Sequence, residues 1–384
     1  MYNREPVHIP YPDNLITSAP SKPPEGRSFH HGRFISKLRA KARSTPNVTI
    51  VETTVTDVVK SGYSGQVLGV ECQTQGTPDF FFGAVTLVAD GYASKFRKEF
   101  IPHQPQVRSK FWGLEMIDAE LPMPNHGHVI LTDAPPILIY QIGTHETRIL
   151  VDIPEGLPSA SPKAGGVKNH MLNVALPNLP ECVQPAFRRA IEAGKLRSMP
   201  NSFLPSTTQK TPGLIMLGDA MNMRHPLTGG GMTVAFNDVV TLSTLLSPQN
   251  IPNLEDSPAV LRAMSSFHWS RKSGSSVINI LAMALYALFA ANSVYLTALK
   301  NGCFRYFQLG GTAISEPAGM LSGLIRSPLK LVYHFFLVAL IAVRCRVQEV
   351  EGWKVPYVVC VESWMIVWTA ARVIGPYLVA EVRR

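Results

Sequence analysis

The chain has 384 residues, of which 46% are hydrophobic and only 16% charged, a low charge share beside the roughly 25% usual for soluble domains. Lysine and arginine exceed aspartate and glutamate by 36 − 27 = 9; no basic block or nucleic-acid motif accompanies that excess, so anionic lipid or an anionic cofactor accounts for it better than DNA or RNA. The five cysteines (Cys72, Cys182, Cys303, Cys345, Cys360) form no CxxC pair, which argues against a disulfide framework and a zinc site and points to a reducing compartment.

Met1 to Pro12 is polar and proline-rich, unlike a signal peptide or a membrane anchor, and residues 1–28 read as an extended lead-in. A helix is predicted from His31 to Arg43, ending before Pro46. The β-branched runs 48–59 and 67–72 read as strands. AVTLVAD at 84–90 is a short apolar strand that ends in a carboxylate and is followed by Gly91. From 107 to 153 the pattern is antiparallel, with strands at 136–142 and 147–153 around a glycine-containing turn. Residues 167–195 look helical, though prolines interrupt them. GLIMLGDA at 213–220 repeats the earlier arrangement, an apolar strand ending in Gly218-Asp219; a glycine cluster and a helix from about Met232 to Leu246 follow.

Beyond residue 257 the chain reads as mostly helical. Residues 277–291 are apolar almost all round, 331–343 are apolar until Arg344, and Tyr357 to Val379 contains Glu362 and Arg372. The first two are short for a bilayer span and the third is long enough but charged. Helices lying in or dipping into one leaflet are therefore preferred over clean spans, with buried core helices as the alternative. Arg344, Arg346, Lys354, Arg383 and Arg384 flank these stretches, where lipid head groups would meet them. A membrane contact is thus expected at the C-terminal end.

The chemistry concentrates in Gly218-Asp219-Ala220-Met221-Asn222-Met223-Arg224-His225-Pro226-Leu227-Thr228-Gly229-Gly230-Gly231-Met232. An apolar strand delivers Asp219 to the carboxyl edge of a sheet, where open α/β folds bind ligands. Three glycines let a flat ring approach the backbone, and the following helix aims free N–H groups and its positive end at that ring. A flavin suits such a pocket; a glycine-rich loop capping an ordinary helix is the bland alternative. His30 and His31, adjacent in a helix, point about 100° apart and make a poor metal pair. His126 and His128 lack ligand partners at suitable spacing and read as surface residues. No metal site is expected, and no Ser/His/Asp or Cys/His arrangement offers a nucleophile.

The run GDAMNMRHPLTGGGMTVAFND resembles the signature of squalene epoxidases, a branch of the flavoprotein monooxygenases. Two further segments match that family: Gly26 to Phe34, and Val88-Ala89-Asp90-Gly91-Tyr92-Ala93-Ser94-Lys95-Phe96-Arg97, which fits the Asp-Gly-x-x-Ser-x-x-Arg pattern of flavoprotein hydroxylases. Shorter matches include Ile9 to Pro12, Leu196 to Pro200 and Phe307 to Gly311, so the resemblance covers nearly the whole chain. It implies an α/β fold: a partial, Rossmann-like FAD-binding domain (1–100 and 211–250), an antiparallel-sheet substrate domain (101–210) and a C-terminal helical membrane-associated region (257–384). Asp219 would hold the ribityl or pyrophosphate part of FAD. Gly229, Gly230, Gly231 and Met232 would face the isoalloxazine, Met232 through its backbone. Arg33 stands where the family contacts FAD, a role that a forked guanidinium suits. Val48, opening the first predicted strand, matches a backbone contact to the adenine. Asp90 would support the FAD site, with Asp90 and Ser94 capping the following turn.

By the same resemblance, the reaction is epoxidation of squalene to 2,3-oxidosqualene with O2, electrons coming from NADPH through a membrane-bound cytochrome reductase, at the endoplasmic reticulum. The family's strand–GxGxxG–helix unit finds no counterpart here, since Gly62, Gly65 and Gly69 have the wrong spacing and lie within strand-like sequence. The chain is expected to begin past that unit. A truncated, non-catalytic membrane-associated remnant is the rival reading.

Overall fold

The computed structural model describes residues 5–12, 25–352 and 355–382; most of the lead-in, together with Lys354, Arg383 and Arg384, lies outside them. Helix α1 (His31–Arg43) forms where predicted, and the Ser44 N–H closes it on Ala40 O at 3.2 Å. An antiparallel meander follows: β1 (Thr54–Lys60), β2 (Val67–Thr74) and β3 (Thr77–Phe82). The predicted strand at 48–59 thus starts only at Thr54. Thr54 pairs with Gln73, and β2 turns into β3 just beyond, so residues 48–53 find no ladder partner. A β-branched run becomes a strand only where a neighbour completes its hydrogen bonds.

Strands β4 (Thr86–Val88) and β10 (Leu214–Met216) pair in parallel and are, among the described residues, the whole parallel sheet. Leu87 on β4 stays exposed. After the single turn α2 (Arg97–Phe100), the chain builds the larger sheet from β5 (Gln106–Ile117), β6 (His128–Ile130), β7 (Ile137–Gln141), β8 (Glu146–Pro154) and β9 (Arg197–Phe203), ordered β6-β7-β8-β5-β9 and antiparallel throughout. Side chains alternate across a strand, and both faces here are covered. Ile137, Ile139, Ile149 and Val151 face a core completed by Met171, Phe187 and Ile191, contributed by the stretch α3 (Gly166–His170), a π-helical turn, α4 (Leu176–Asn178) and α5 (Gln184–Glu192). Phe111, Leu138 and Leu150 face the C-terminal helices. His128, expected at the surface, is buried on β6, where its Nε2 accepts the Met123 N–H.

The remaining chain forms α6 (Gly231–Leu245), α7 (Ser257–Phe289), α8 (Val294–Gln308), α9 (Thr312–Leu321), α10 (Pro328–Gln348), α11 (Val355–Tyr357) and α12 (Ser363–Val382). The Asp256 carboxylate accepts the Ala259 N–H and opens α7, with Pro258 in its first turn, a favourable start on both counts. Among the described residues, three helical stretches are long and apolar enough to cross a membrane: Ser257–Phe289, Pro328–Gln348 and Val355–Val382. The apolar runs at 277–291 and 331–343 are thus parts of longer helices than their composition suggested. The most apolar window of α7 is 72% buried inside the protein, against 33% for α10 and 22% for the last stretch. So α7 is a core helix, and the outward-facing apolar surface belongs to α10 and α12.

Helices α8 and α10 meet at Gly302, where an added Cβ would stand 2.6 to 2.8 Å from the Cβ, Cα and N of Ala342. Gly302→Ala should therefore lower stability by about 1–3 kcal/mol through overpacking. Gly274→Ala, whose Cβ would meet only the Arg326 side chain at 3.6 Å or more, should be neutral or slightly stabilising. Thermal unfolding of both variants in detergent checks this; equal midpoints would show that backbone contact does not set the α8–α10 spacing.

Candidate functional site

Because β4 and β10 run parallel, their carboxyl ends open on the same edge. Asp90 lies just past β4, and Asp219 lies past β10 in a 3-10 turn, Gly218–Ala220, that starts with Gly218 at φ 63°. Both carboxylates are exposed. The side chain beneath them is Arg97, buried to 4% exposure. Its Nε donates to Ala220 O at 2.9 Å, and its Nη2 lies within 2.9–3.0 Å of the carbonyls of Gly91, Tyr92 and Asp219. A guanidinium carries five donors in a fixed fork, and here they tie the Asp90-Gly91 turn to the Gly218–Ala220 turn. Burial lowers the Arg97 pKa while Asp90 and Asp219 oppose that shift. The expected caps from Asp90 and Ser94 do not form: α2 starts without a side-chain cap. Ser94 gives its backbone N–H to Gly91 O at 3.2 Å, and its hydroxyl is buried without a partner.

The glycines differ in purpose. Gly229 sits at φ 65° with nothing within 4 Å of an added Cβ, whereas a Cβ on Gly230 would strike Ile278 of α7 at 2.6 Å. Gly231 is the first residue of α6, and its N-cap, Gly230, supplies no side-chain acceptor. The first N–H groups of α6 are therefore not spent on a cap. Thr228 Oγ1 is buried without a partner. An open backbone, uncommitted donors and an orphaned hydroxyl beside two exposed carboxylates fit a flat, polar-edged ring such as a flavin. Helix α6 begins about where the sequence predicted, with Met232 half-buried in its first turn.

Arg33 lies in the first turn of α1 with its side chain 75% exposed, 3.9 Å from Glu146 Oε1 on β8. Its neighbour Phe34 meets Phe236 of α6 edge-on at 6.2 Å, which sets this end of α1 against α6. Val48 lies beyond the other end of α1, whose last residue is about 15 Å from Arg33 at 1.5 Å per residue. It lines a cavity of ≈ 380 Å³ with Arg43, Thr49, Ile50 and Glu52. The structure thus gathers Asp90, Asp219 and the Gly229–Met232 segment around Arg97 and α6, brings Arg33 near through α1, and leaves Val48 at a distance.

A second polar group, which the sequence did not single out, lies where the large sheet meets the glycine loop. Ser109, Asp152, Asn201 and His225 are all buried. Ser109 Oγ donates to Asp152 Oδ1 at 2.5 Å, and Asn201 Nδ2 donates to both, each at 2.9 Å. His225 Nδ1 accepts the Leu227 N–H, so its Nε2 carries the proton and faces Ser109 Oγ at 3.5 Å. Burial pushes the imidazole down to about 3, so it stays neutral. Burial also lifts Asp152 to about 6, against the opposing hydrogen bonds of Ser109, Tyr286 and Asn201.

The fold is that of the flavin-dependent monooxygenases and halogenases. PqsL, a probable FAD-dependent monooxygenase from Pseudomonas aeruginosa, superposes with a TM-score of 0.54 at 19% identity, over 67% of this chain and 69% of that one. The flavin-dependent brominase Bmp2 does so with 0.59 at 14% identity, over 83% and 76%. Within that class the sequence is specific: the squalene epoxidase family model matches residues 82–359. Squalene epoxidase erg1 of Aspergillus fumigatus is 61% identical over 362 residues, 94% of this chain and 75% of that protein. The chain belongs to the squalene epoxidase family.

Two outcomes test this geometry. Arg97→Lys keeps the charge but cannot span four carbonyls, and should cost about 2 kcal/mol or more in stability; an unchanged unfolding midpoint would show the bridge to be dispensable. Asp152 titrates higher in the fold than its ordinary 3.8, so its burial costs nothing below pH 4, and stability falls as pH rises toward about 6. Asp152→Asn should therefore gain on the parent as pH rises, by about 1 kcal/mol more at pH 7.5 than at pH 5. Equal gains at both pH values would remove Asp152 as the titrating group.

Proposed function

We propose that this chain is an FAD-dependent monooxygenase that epoxidises squalene to 2,3-oxidosqualene. Membership of the squalene epoxidase family over residues 82–359 carries that reading, and the parallel-strand edge bound together by Arg97 supports it. When bound, FAD supplies reductive activation of O2 for delivery of one oxygen atom to an alkene. The protein's own task is then to hold, orient and keep dry.

Asp219 would hold the ribityl or pyrophosphate part of the cofactor, its carboxylate accepting hydrogen bonds from the ribityl hydroxyls, and Asp90 would support the same edge. Gly229, Gly230, Gly231 and Met232 would present bare backbone and the positive end of α6 to the ring. Arg33 is free enough to swing from Glu146 to a pyrophosphate. Val48, across its cavity, would meet the adenine end of an extended dinucleotide. The Arg97 guanidinium would fix the spacing between the two turns, and neutral His225 would add no charge to the loop.

The substrate side follows from the apolar cluster that includes Leu227 of the glycine loop, Phe111 and Leu138 of the sheet, and residues of α7, α8, α10 and α12. It runs unbroken from the loop to the outward-facing helices, so an apolar C30 alkene would have an apolar route from lipid to the ring, with water excluded. Helices α10 and α12 expose Leu329, Tyr333, Leu340, Trp364 and Trp368, a surface suited to the membrane interface. The reading includes O2 as co-substrate, an NADPH-dependent cytochrome reductase as electron donor and the endoplasmic reticulum membrane as location.

Asp219→Ala in the detergent-solubilised full chain should weaken FAD binding about tenfold or more, equivalent to about 1.4 kcal/mol, read from the absorbance of the bound flavin. The parent, given squalene, O2, NADPH and reductase, should form the epoxide. Unaltered flavin occupancy in the variant would remove Asp219 from the site, and a flavin-loaded parent that leaves squalene unchanged would overturn the substrate.

A further inference from the structure

Beneath the glycine loop, a buried polar network runs from the loop to the C-terminal helix. Its hub is Asn222, fully buried. Asn222 Oδ1 accepts from Arg224 Nη2 at 2.9 Å, Arg271 Nη2 at 3.2 Å and Asn279 Nδ2 at 3.2 Å, and its Nδ2 donates to Leu204 O at 2.7 Å. Arg271 also grips Asp238 of α6 through two bonds of 3.0 and 2.8 Å. On the far side, Asn279 Nδ2 donates to Glu381 Oε1 at 2.9 Å, Ser276 Oγ to Glu381 Oε2 at 3.1 Å, and Lys272 Nζ to the Glu381 carbonyl at 2.5 Å. Lys272, Ser276 and Asn279 recur at helical spacing on one face of α7.

Glu381 is the odd residue in this arrangement. It is the one acid of α12 and lies in its last turn, yet it is buried. Burying a carboxylate is unfavourable unless it is fully paired, so the last turn of α12 is held in place only while α7 offers its donors. Asn279 is the shared part. Its amide has two hydrogens, one used by Glu381 and the other by Asn222. Withdrawing Glu381 frees that amide to turn, which would set its oxygen against Asn222 Oδ1 and disturb the hub that also holds Arg224. Arg224 in turn reaches Gly231 O at 3.4 Å, at the start of α6.

We infer that Glu381 is a positioning residue that couples docking of the outward-facing helix α12 to the geometry of the flavin loop, through Asn279 and Asn222. The inference rests on the flavin reading of that loop. Linkage then requires the effect to run both ways: a cofactor seated on the loop steadies the end of α12, and a loosened α12 weakens the seat.

Amide hydrogen exchange on the full chain in detergent, with and without saturating FAD, tests this. In the parent, FAD should slow exchange in residues 218–231 and also, about fivefold or more, in residues 373–382. Glu381→Gln, which keeps an acceptor for Asn279, should behave like the parent. Glu381→Ala should keep protection of the loop but lose it at the helix end. Should that variant fail to fold, Asn279→Ala cuts the same link while Ser276 and Lys272 still hold α12, and it should show the same loss. A protected loop with an indifferent helix end in the parent, or persistent helix protection in the alanine variants, overturns the coupling alone. No protection of residues 218–231 in the parent overturns the flavin reading, and the coupling with it.

Discussion

Two turns from distant parts of the chain must present carboxylates at one sheet edge, and the two-stranded parallel sheet that carries them is too small to fix that edge by its own ladder. Three residue pairs join β4 to β10. The Arg97 guanidinium supplies what the ladder lacks. Its bonds go to main-chain carbonyls rather than to the carboxylates, which leaves Asp90 and Asp219 open toward solvent. An arginine paired directly with those acids would have neutralised the site it builds. The buried cation instead holds the backbone, and its charge acts on the acids only from a distance.

Helix α7 does for the other side of the site what Arg97 does for the edge. Its stretch from Arg271 to Asn279 carries the polar groups that hold the glycine loop, α6 and the end of α12. Further along, Ile280, Leu281, Leu285 and Leu288 belong to the apolar cluster shared with α8, α10 and α12. Ile278, near the junction of these halves, touches the position where Gly230 lacks a Cβ. One rigid rod therefore sets both the height of the loop and the packing of the apolar layer, which keeps the glycine loop and that layer in register. Loops could not hold that relation to a fraction of an ångström.

Local features were legible in the sequence. Helix α1, the β7–β8 hairpin, and two apolar strands each ending near an aspartate and a glycine appear where periodicity and turn residues placed them, because neighbours in sequence decide them. What escaped reading depends on partners far along the chain. Residues 48–53 have strand composition but no free ladder. His128 looks like a loop histidine until the register of β6 buries it. The aspartate of the strand VDI gives no hint that Ser109 and Asn201 will enclose it. Arg97 stood in a matched motif, yet nothing local says that two of its acceptors lie beyond β10. Hydropathy alone also could not separate α7 from α10 and α12, since a protein interior and a lipid tail are equally apolar.

Of the two charges that argued against a clean bilayer span by the last stretch, Arg372 lies exposed on α12 while Glu362 has a partner. Glu362 accepts from Arg346 Nε at 2.7 Å, so this acid pairs with a base at the end of α10 and does not face lipid alone. At the other end of α12, Glu381 is enclosed by α7. A helix tied to the protein at both ends, about 30 Å apart for 20 residues, is held along the protein surface. The stacked rings of Trp364 and Trp368, 6.4 Å apart and 11° from parallel, lie on the exposed side of this tethered rod, where amphipathic aromatics favour the interface between head groups and acyl chains. The arrangement gives α12 an outward apolar face suited to a membrane contact, with its one buried acid locked to the protein.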